Sequence, residues 1–358
     1  MKRMRAVSLV AGACAGALVL TGCADRSSDT GGDSASSGPA TAASMPDVNG
    51  DGKVLIGVLS PGDLDDNGYY EGFVTGAQAV VDEKGWELIK MGSVNPANAA
   101  EQARNLCRQG VDMVALAASE MRDAIPVAEE AVCANTVWYS PSSTDLEPTP
   151  YITISRDFVN ESMLAAGYAN GILMKEAGHT KAGYISGPEL NFSVMAATAF
   201  EAGIKQLVPE ATVISTFTGD FNDSAKAREA AEAQLSQGIE VLYPYLGGAT
   251  DAVAQVGTER GVLLSTPGTN RCDEPGLDWA VSTVFDTGEY FAAALELFDQ
   301  GELEMGTTTE WHIGVDPVPY VTLCNGTEEQ QAQLDEFMTK IGSGEIVPED
   351  MIAAATEQ

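Results

Sequence analysis

The stretch Lys53-Val-Leu-Ile-Gly-Val-Leu59-Ser60-Pro61-Gly62 predicts a buried strand that ends in a turn. A short, continuous apolar run that stops at Ser-Pro-Gly is typical of a strand covered on both faces. A run with helical spacing follows over residues 70–84, and Gly85 ends it. A fully covered strand followed by a helix is the repeating unit of a parallel sheet, so this stretch indicates an α/β fold.

The same alternation continues along the chain and then begins a second time. In the first block we expect strands at residues 86–90, 111–116, 136–139 and 152–154, and helices at 98–109 and 122–133. In the second block we expect strands at residues 182–185, 212–217, 241–243 and 261–264, and helices at 158–177, 193–208, 225–237 and 250–260. Strands and helices that alternate in this way form parallel sheets with helices on both faces. Two blocks predict two lobes, with a ligand cleft between them at the carboxyl ends of the strands.

The last part of the chain is expected to return to the first lobe and then to the second. We expect strands at residues 279–284, 311–315 and 320–323, and helices at 289–299 and 328–341. The predicted first lobe therefore comprises residues 53–153 and 282–310. The predicted second lobe comprises residues 154–281 and 311–358. Three crossings between lobes would form a hinge that allows the cleft to close.

The first 22 residues have the pattern of an export signal. A positively charged start (residues 2–5) precedes an uncharged, mostly apolar run over residues 6–20. That run is too short to span a membrane comfortably. The following Leu20-Thr21-Gly22-Cys23 resembles the bacterial lipobox, so we expect cleavage before Cys23 and attachment of a lipid to its thiol. An ordinary secreted protein with a chance cysteine is the alternative.

Composition and charge narrow the function further. The formal net charge is -33, and nucleic acids bind basic surfaces, so nucleic acid is not an expected partner. Because an acidic chain does not bind anionic lipid through charge, membrane attachment would depend on the lipid at Cys23. Residues 23–52 start with a long stretch of Ser, Gly, Ala, Thr, Asp and Pro, so we expect a flexible linker.

Four cysteines remain after the expected cleavage and lipidation: Cys107, Cys133, Cys272 and Cys324. An even number in an exported chain predicts disulfides, for which three connectivities are possible. We favour a Cys107–Cys133 bond, which joins consecutive predicted helices. We also favour a Cys272–Cys324 bond, which joins loops near the lobe junction. A zinc site is the weaker alternative, because the spacing lacks a close Cys-x-x-Cys pair.

Five segments carry a family resemblance: Gly62-Asp-Leu-Asp-Asp-Asn-Gly-Tyr-Tyr-Glu-Gly-Phe73, Ser162-Met-Leu-Ala-Ala-Gly-Tyr-Ala-Asn-Gly171, Ala182-Gly-Tyr-Ile-Ser-Gly187, Thr218-Gly-Asp-Phe-Asn-Asp-Ser-Ala-Lys-Ala-Arg228, and Gln237-Gly-Ile-Glu-Val241 with Gly247-Gly248. In this order they resemble the basic membrane protein (BMP/Med) family of ABC-transporter substrate-binding lipoproteins. The resemblance covers nearly the whole mature chain. It implies the type I periplasmic-binding-protein fold, with two Rossmann-like lobes whose parallel sheets are joined by a three-crossover hinge.

The resemblance also implies a function and a set of partners. Such a protein binds a small molecule in the cleft, without a cofactor and without catalysis, and delivers it to an ABC permease. Characterised members mostly bind nucleosides, so a purine nucleoside is the first expectation and a sugar the second. We expect a monomer held at the outer face of the membrane by its lipid. A ligand-sensing signalling lipoprotein is the alternative from another class.

The resemblance assigns ligand contacts to the first loop and to one loop of the second lobe. Asp66, Asn67 and Tyr69 match the family's first-loop residues, and Phe192 is a candidate to stack on a ring. Gly247 belongs to the last segment of the resemblance.

The segment 265–272 departs from the family pattern. It reads Ser-Thr-Pro-Gly-Thr-Asn-Arg-Cys where the family usually has an aspartate that holds ribose. Asn270 is the expected substitute. Arg271 places a cation where the family would have an acid, so an anionic or differently hydroxylated ligand held by Arg271 is an open alternative.

Position alone adds four candidates. Ser119, Tyr139, Asp157 and Tyr243 fall at or just past the ends of predicted strands or crossings. An aromatic residue by itself is more typical of the core. Together with Tyr69, Phe192 and Tyr245, however, these aromatic residues suit a pocket that stacks a flat ligand.

No pattern in the sequence indicates catalysis or a resident metal. His179 and His312 lie far apart in the predicted fold, and no nucleophile elbow or phosphate-binding loop is present. An exported hydrolase would need a nucleophile–base pair that we do not find. Asp47-Val-Asn-Gly-Asp-Gly52 resembles the start of a calcium loop, but its twelfth position falls on Val58 rather than on glutamate. We therefore expect a linker turn there.

Overall fold

A computed structural model of the protein describes residues 45–66, 68–142 and 146–356. The expected export signal, Cys23 and Asn67 lie outside these described residues. Within them the chain forms twelve strands and nine α-helices. Of the helices in the described ranges, none combines the length and the apolar character needed to cross a bilayer.

The first sheet consists of parallel strands: β1 (Leu55–Leu59), β2 (Glu87–Met91), β3 (Met113–Leu116), β4 (Val137–Ser142), β5 (Ile152–Asp157) and β11 (Thr308–Trp311). Their order across the sheet is β11-β5-β4-β3-β1-β2. The α-helices of this part are α1 (Tyr69–Lys84), α2 (Ala99–Arg108) and α7 (Thr287–Gln300). Helices α1 and α7 pack side by side over one face, around Phe73, Tyr139 and Phe291.

The second sheet has a similar plan: β6 (Lys181–Ser186), β7 (Thr212–Phe217), β8 (Val241–Tyr245), β9 (Leu263–Gly268), β10 (Trp279–Val284) and β12 (Tyr320–Leu323). Their order is β12-β10-β9-β8-β6-β7, and β12 is an antiparallel edge strand. The helices of this part are α3 (Val159–Ala177), α4 (Asn191–Lys205), α5 (Ser224–Ser236), α6 (Thr250–Arg260), α8 (Glu328–Gly342) and α9 (Pro348–Thr356).

The chain passes between the two sheets three times, after β5, after β10 and after β11. The expected boundaries at residues 153/154 and 281/282 were too early, because both fall inside a strand. Arg156 still pairs with Ser142 in the first sheet, and Val284 still pairs with Gly268 in the second. Both strands therefore continue to the edge of the cleft before the chain crosses to the other sheet.

Two expected elements were wrong. Residues 122–133 form no α-helix; the 3₁₀ segments Ser119–Glu129 and Ala131–Cys133 occupy this region. Pro126 lies inside the first of them, and a proline removes an α-helical hydrogen bond and crowds the preceding turn. The expected strand 311–315 is instead the end of β11 followed by a turn, in which the His312 backbone N–H donates to Asp316 Oδ2 at 2.8 Å.

The folded part begins before residue 53, so the end of the expected linker was misplaced. Val48 is buried. The Asn49 backbone N–H donates to Asp112 Oδ1 at 3.1 Å, and its side-chain amide donates to the Gly110 carbonyl at 2.6 Å. The other Asp112 oxygen accepts from the Leu55 N–H at 2.9 Å. A buried aspartate thus connects the entry segment to β1.

The two favoured disulfides are confirmed. Cys107 in α2 is bonded to Cys133 in the 3₁₀ segment that precedes β4. Cys272, which follows β9, is bonded to Cys324, which follows β12. The first bond links two elements of one lobe, and the second links the loop beside the cleft to the edge strand of the second sheet.

Candidate ligand-binding site

A cavity of about 110 Å³ lies between the two sheets, at the carboxyl ends of their strands. From the first sheet's side, the loop after β1, the start of α1, the segment after β3 and the end of β5 form its wall. From the second sheet's side, the wall comes from the starts of α3, α4 and α6 and from residues near the ends of β7, β8 and β9. Phe285, at the second crossing, closes one side. This is the position expected for a ligand site in paired parallel sheets.

The structure brings six of the predicted contact residues into this wall: Tyr69, Ser119, Asp157, Phe192, Gly247 and Arg271. They come from six separate segments of the chain, each of which ends or begins an element at the cleft. Topology alone therefore gathers them, because the carboxyl ends of parallel strands meet at one edge.

Aromatic rings form much of the wall. Phe192 and Phe221 lie nearly parallel, with ring centroids 6.1 Å apart and an interplanar angle of 16°. The Phe285 ring centroid lies 6.5 Å from that of Tyr69 and 6.1 Å from that of Tyr245. Rings at these distances offer faces on which a flat or apolar part of a ligand can pack.

The position of Phe221 depends on a glycine and on the neighbouring loop. A Cβ atom added to Gly187 would lie 2.5 Å from the Phe221 ring, so only glycine lets the ring lie there. The Phe221 carbonyl accepts hydrogen bonds from the backbone N–H groups of Gly247 and Ala249, at 3.1 and 3.2 Å. The loop after β7 and the loop after β8 therefore hold each other in place.

Asp157 is the last residue of β5 and lies in the wall at the first crossing. Burial, together with a smaller effect of the nearby negative charge of Glu161, raises the pKa of its carboxyl to about 6. Glu120 also lies in the wall. Burial raises the pKa of Tyr69, and the charges of Asp157 and Glu120 add to that rise. The two carboxylates and the Tyr69 hydroxyl are therefore close enough to interact.

A buried hydroxyl is also directed to the same region. Ser162 lies in the first turns of α3 and lines the cavity. It is 2 % exposed, and its Oγ has no hydrogen-bond partner among the described residues. A buried polar atom without a partner is unfavourable, so this hydroxyl is available to a ligand or a water molecule.

Arg271 lines the cavity but is already paired. Its guanidinium contacts Asp251 at 2.6 Å and Glu274 at 2.5 and 2.8 Å, and it lies over the Trp279 ring at 4.9 Å. It is 6 % exposed. Two carboxylates therefore already accept hydrogen bonds from the guanidinium that would hold an anionic ligand in the alternative prediction.

Two residues predicted from the resemblance lie outside the wall. Asp66 Oδ1 accepts from the N–H groups of Gly68 and Glu71, both at 3.0 Å, so this carboxylate stabilises the start of α1. Burial raises the pKa of Asp66. Asn270 is exposed, and its Oδ1 accepts from the Cys272 N–H at 3.1 Å within a turn. Asn270 is thus not placed to replace the missing aspartate.

Two predicted aromatic contacts are core residues instead. Tyr139 is fully buried under α1 and α7, with its ring stacked 4.9 Å from that of Phe291. Tyr243 is fully buried against Phe200, with ring centroids 5.1 Å apart. Each side chain points to a helix-covered face of its sheet rather than beyond the strand end.

Several lining residues were not predicted as contacts: Tyr70, Glu120, Ser162, Phe221 and Phe285. The signal that could have found most of them is position just past a strand end. Glu120 lies just past β3, Phe221 follows β7, and Phe285 follows β10 directly. Within the described residues, no group of His, Cys, Asp and Glu side chains is arranged to hold a metal ion.

Comparison with solved structures supports the fold. A solute-binding protein of an ABC transporter system from Conexibacter woesei matches with a TM-score of 0.62 and 21% identity, covering 82% of this chain and 98% of that one. One from Aeropyrum pernix K1 matches with a TM-score of 0.65 and 17% identity, covering 85% of each chain. The arabinose-binding component of an ABC transporter from Shewanella sp. ANA-3 matches with a TM-score of 0.55 and 14% identity, covering 82% and 99%. These likenesses confirm the expected type I periplasmic-binding-protein fold.

The family is shown by the sequence itself. The model of a family described as "ABC transporter substrate-binding protein PnrA-like" matches residues 53–350. Its members bind substrates for transport and are not enzymes, and their partners are a small molecule and a permease. Since the match spans both lobes and all three crossings, the chain belongs to the Bmp family of ABC-transporter substrate-binding proteins.

Proposed function

We propose that this protein is the extracytoplasmic binding component of an ABC importer, which holds a small ligand in the cavity between its lobes and delivers it to the permease. The observation that carries the proposal is a cavity lined by rings and carboxylates, formed by both sheets where three crossings join them. Crossings of this kind absorb the backbone change when two lobes close on a ligand. Because one chain supplies both walls, we propose that the protein acts as a monomer.

We place the proposed boundaries between the lobes at the three points where the chain crosses from one sheet to the other. We assign residues 45–157 and 285–311 to the first lobe and residues 158–284 and 312–356 to the second. This division follows sheet membership and the packing of α7 against α1. It divides the cavity wall nearly evenly between the two lobes, with Tyr69, Ser119 and Asp157 in the first and Phe192, Gly247 and Arg271 in the second.

A purine nucleoside is the first ligand class that we propose. The near-parallel rings of Phe192 and Phe221 support it, because a base can pack on aromatic faces. Asp157 and Glu120 supply carboxylate oxygens that can accept hydrogen bonds from ribose hydroxyls. A sugar is the second class, favoured by the likeness of fold to the arabinose-binding protein and by the same carboxylates.

Thermal unfolding of the purified protein against nucleosides, bases, pentoses and hexoses tests these classes. A ligand present at a hundred times its Kd adds about 2.7 kcal/mol to the free energy of unfolding, which gives a clear rise in Tm. A rise with adenosine or guanosine, but with neither ribose nor hexoses, supports the nucleoside class. A rise with sugars alone contradicts it.

Ring substitutions then test the location of the site. We expect Phe221→Ala to lower the affinity for whichever compound raises the Tm by at least 10-fold, because one ring face is lost. Tyr151→Ala is the matched control, since Tyr151 packs against the first-lobe core outside the cavity. An unchanged affinity in Phe221→Ala would place the ligand elsewhere.

We also propose that the protein is held at the membrane by a lipid on Cys23. The support is the sequence around Cys23, where a charged start, an apolar run and small residues stand in lipobox order. Phase partitioning in a detergent tests this with the full chain expressed in a bacterial host. We expect the protein in the detergent phase and Cys23→Ser in the aqueous phase. Partition of both forms into the aqueous phase would contradict the anchor.

A further inference from the structure

The balance of charge in the cavity wall points to a property of the ligand. Among the described residues of the wall, the charged ones are Glu120, Asp157 and Arg271. Arg271 already forms ion pairs with Asp251 and Glu274. The Asp157 carboxylate, which burial has desolvated, would repel an anionic ligand.

Asp157 is the carboxylate of the wall that a positively charged ligand would stabilise most. Burial is the main cause of its raised pKa, and among the described residues the charged side chain that adds to the rise is the negative Glu161. No positively charged side chain of the described residues lowers the pKa of Asp157. A desolvated carboxylate of this kind is stabilised by a positive charge brought next to it.

Aromatic rings line the same cavity as Asp157. Tyr69 is close enough for the Asp157 charge to raise its pKa, after the larger effect of burial. The ring of Tyr69 is 6.5 Å from that of Phe285, which is 6.1 Å from that of Tyr245. The faces of aromatic rings attract cations, and rings combined with a carboxylate form a recognised type of ammonium site.

The described wall has two carboxylates, which when ionised only accept hydrogen bonds, beside hydroxyls, which both donate and accept. Its described residues include no lysine, histidine, asparagine or glutamine. Sugar hydroxyls both donate and accept, and such side chains are the usual donors to them. The unpartnered Oγ of Ser162, buried in the same wall, can also accept a hydrogen bond. An ammonium group has donors only.

We propose that the ligand carries a positively charged nitrogen, which lies between the Asp157 carboxylate and the aromatic rings around Phe285. This inference rests on the proposed function, since it concerns the ligand of the same cavity. It narrows the ligand to a cationic compound, such as a nucleoside with a charged base or a quaternary amine, and excludes neutral sugars as the preferred ligand.

Matched pairs of probes separate charge from shape. Choline and 3,3-dimethyl-1-butanol have nearly the same shape, but only choline is charged. The pair 1-methyladenosine and adenosine differs by a methyl group and a positive charge at neutral pH. We expect calorimetric titration of the full-length protein at pH 7.5 to show at least one pair in which the cation binds about 10-fold more tightly or better.

Two variants connect that preference to Asp157. Asp157→Asn keeps the shape of the side chain and removes its charge, so the preference for the cation should fall about 10-fold while the neutral probe is little affected. Asp123→Asn is the matched control, because Asp123 is exposed and does not line the cavity. It should leave both affinities unchanged.

The outcomes distinguish this inference from the proposed function. Equal affinity within both pairs, or binding of neither cation at 10 mM, overturns the inference. If adenosine binds in that case, the proposed function stands. If choline binds selectively but both nucleosides fail, the inference stands and the nucleoside class is wrong. A preference for the cation that survives in Asp157→Asn also overturns the inference.

Discussion

At the scale of single residues, the role of a charged side chain depends more on the groups around it than on which amino acid it is. Asp66 lies in the loop after β1 and Asp157 ends β5, yet Asp66 accepts hydrogen bonds at the start of α1 and Asp157 lines the cavity. Arg271 is positively charged and lines the cavity, but Asp251 and Glu274 neutralise it. Asp157 therefore contributes charge to the wall, whereas the charge of Arg271 is neutralised by the ion pairs that hold the loop after β9.

The raised pKa of Asp157 makes a prediction about stability. An aspartate whose folded-state pKa of about 6 exceeds its ordinary value of 3.8 destabilises the fold when it is ionised. The destabilisation is absent below the ordinary value, grows as the pH rises and is complete above the folded-state value. We expect Asp157→Asn to be more stable than the parent protein by up to about 3 kcal/mol at pH 8, and by about half of that at pH 5.

Urea unfolding of both proteins at the two pH values measures this difference. The groups whose charge or hydroxyl interacts with Asp157 are unchanged in the variant: Tyr69, Tyr139, Glu161 and Tyr290. Asp123→Asn should show no such dependence on pH, since Asp123 is exposed. A variant that is equally stable or less stable at pH 8 would show that Asp157 is well solvated or paired.

At the scale of elements, close packing of helices holds the second lobe together behind the cavity. Helices α3 and α4 meet through glycines: a Cβ atom on Gly167 would lie 2.1 Å from the Phe200 carbonyl oxygen, and one on Gly203 would lie 2.2 Å from that of Leu164. The starts of both helices form part of the cavity wall. Their spacing therefore influences where Phe192 and Ser162 lie.

We expect Gly203→Ala to destabilise the protein by about 1–3 kcal/mol, because the added methyl group would force α3 and α4 apart. Urea unfolding gives the difference in free energy. Val194→Ala is the control in the same helix, since Val194 is 39% exposed, and it should change stability by less than about 0.5 kcal/mol. Equal effects of the two changes would mean that the helices separate easily.

A second element-scale feature lies at the hinge. His312, just after β11, is stacked on Phe158 with ring centroids 4.4 Å apart, and its Nδ1 lies 3.0 Å from Glu161 Oε1. Phe158 follows β5 directly, so two of the three crossings are in contact. This contact fixes the third crossing against the first on the second-lobe side of the cavity.

At the scale of the whole molecule, the entry segment belongs to the folded body. Val48 is buried, and Asn49 bonds to Asp112 and Gly110. Asp112 is itself fully buried, and burial raises its pKa. Without the Asn49 N–H, Asp112 Oδ1 would lose a hydrogen-bond donor, which is unfavourable for a buried carboxylate.

We expect a chain that begins at residue 53 to be less stable than one that begins at residue 45, by about 1–3 kcal/mol. Thermal and urea unfolding of the two chains measure this. A third chain beginning at residue 45 with Asn49→Ala should lose part of that stability, because the amide contact to Gly110 is removed. Equal Tm values for the chains starting at 45 and 53 would show that residues 45–52 act only as a linker.

The sequence by itself determined the succession of strands and helices, the two disulfides, the family and the edge of the sheets at which a cavity forms. Each of these depends on local patterns: apolar runs, helical spacing, glycine and proline stops, and cysteine positions. Local patterns also failed in an understandable way where Pro126 turned an expected helix into 3₁₀ segments.

The tertiary structure decided which side chains reach the cavity. Tyr139 and Phe221 both lie near strand ends, yet one is stacked in the core and the other lines the wall. The pairing of Arg271 with Asp251 and the bond from Asn49 to Asp112 join residues far apart in the chain. Such contacts depend on how sheets, helices and crossings meet in space, and this information is not contained in the spacing of residues along one strand or helix.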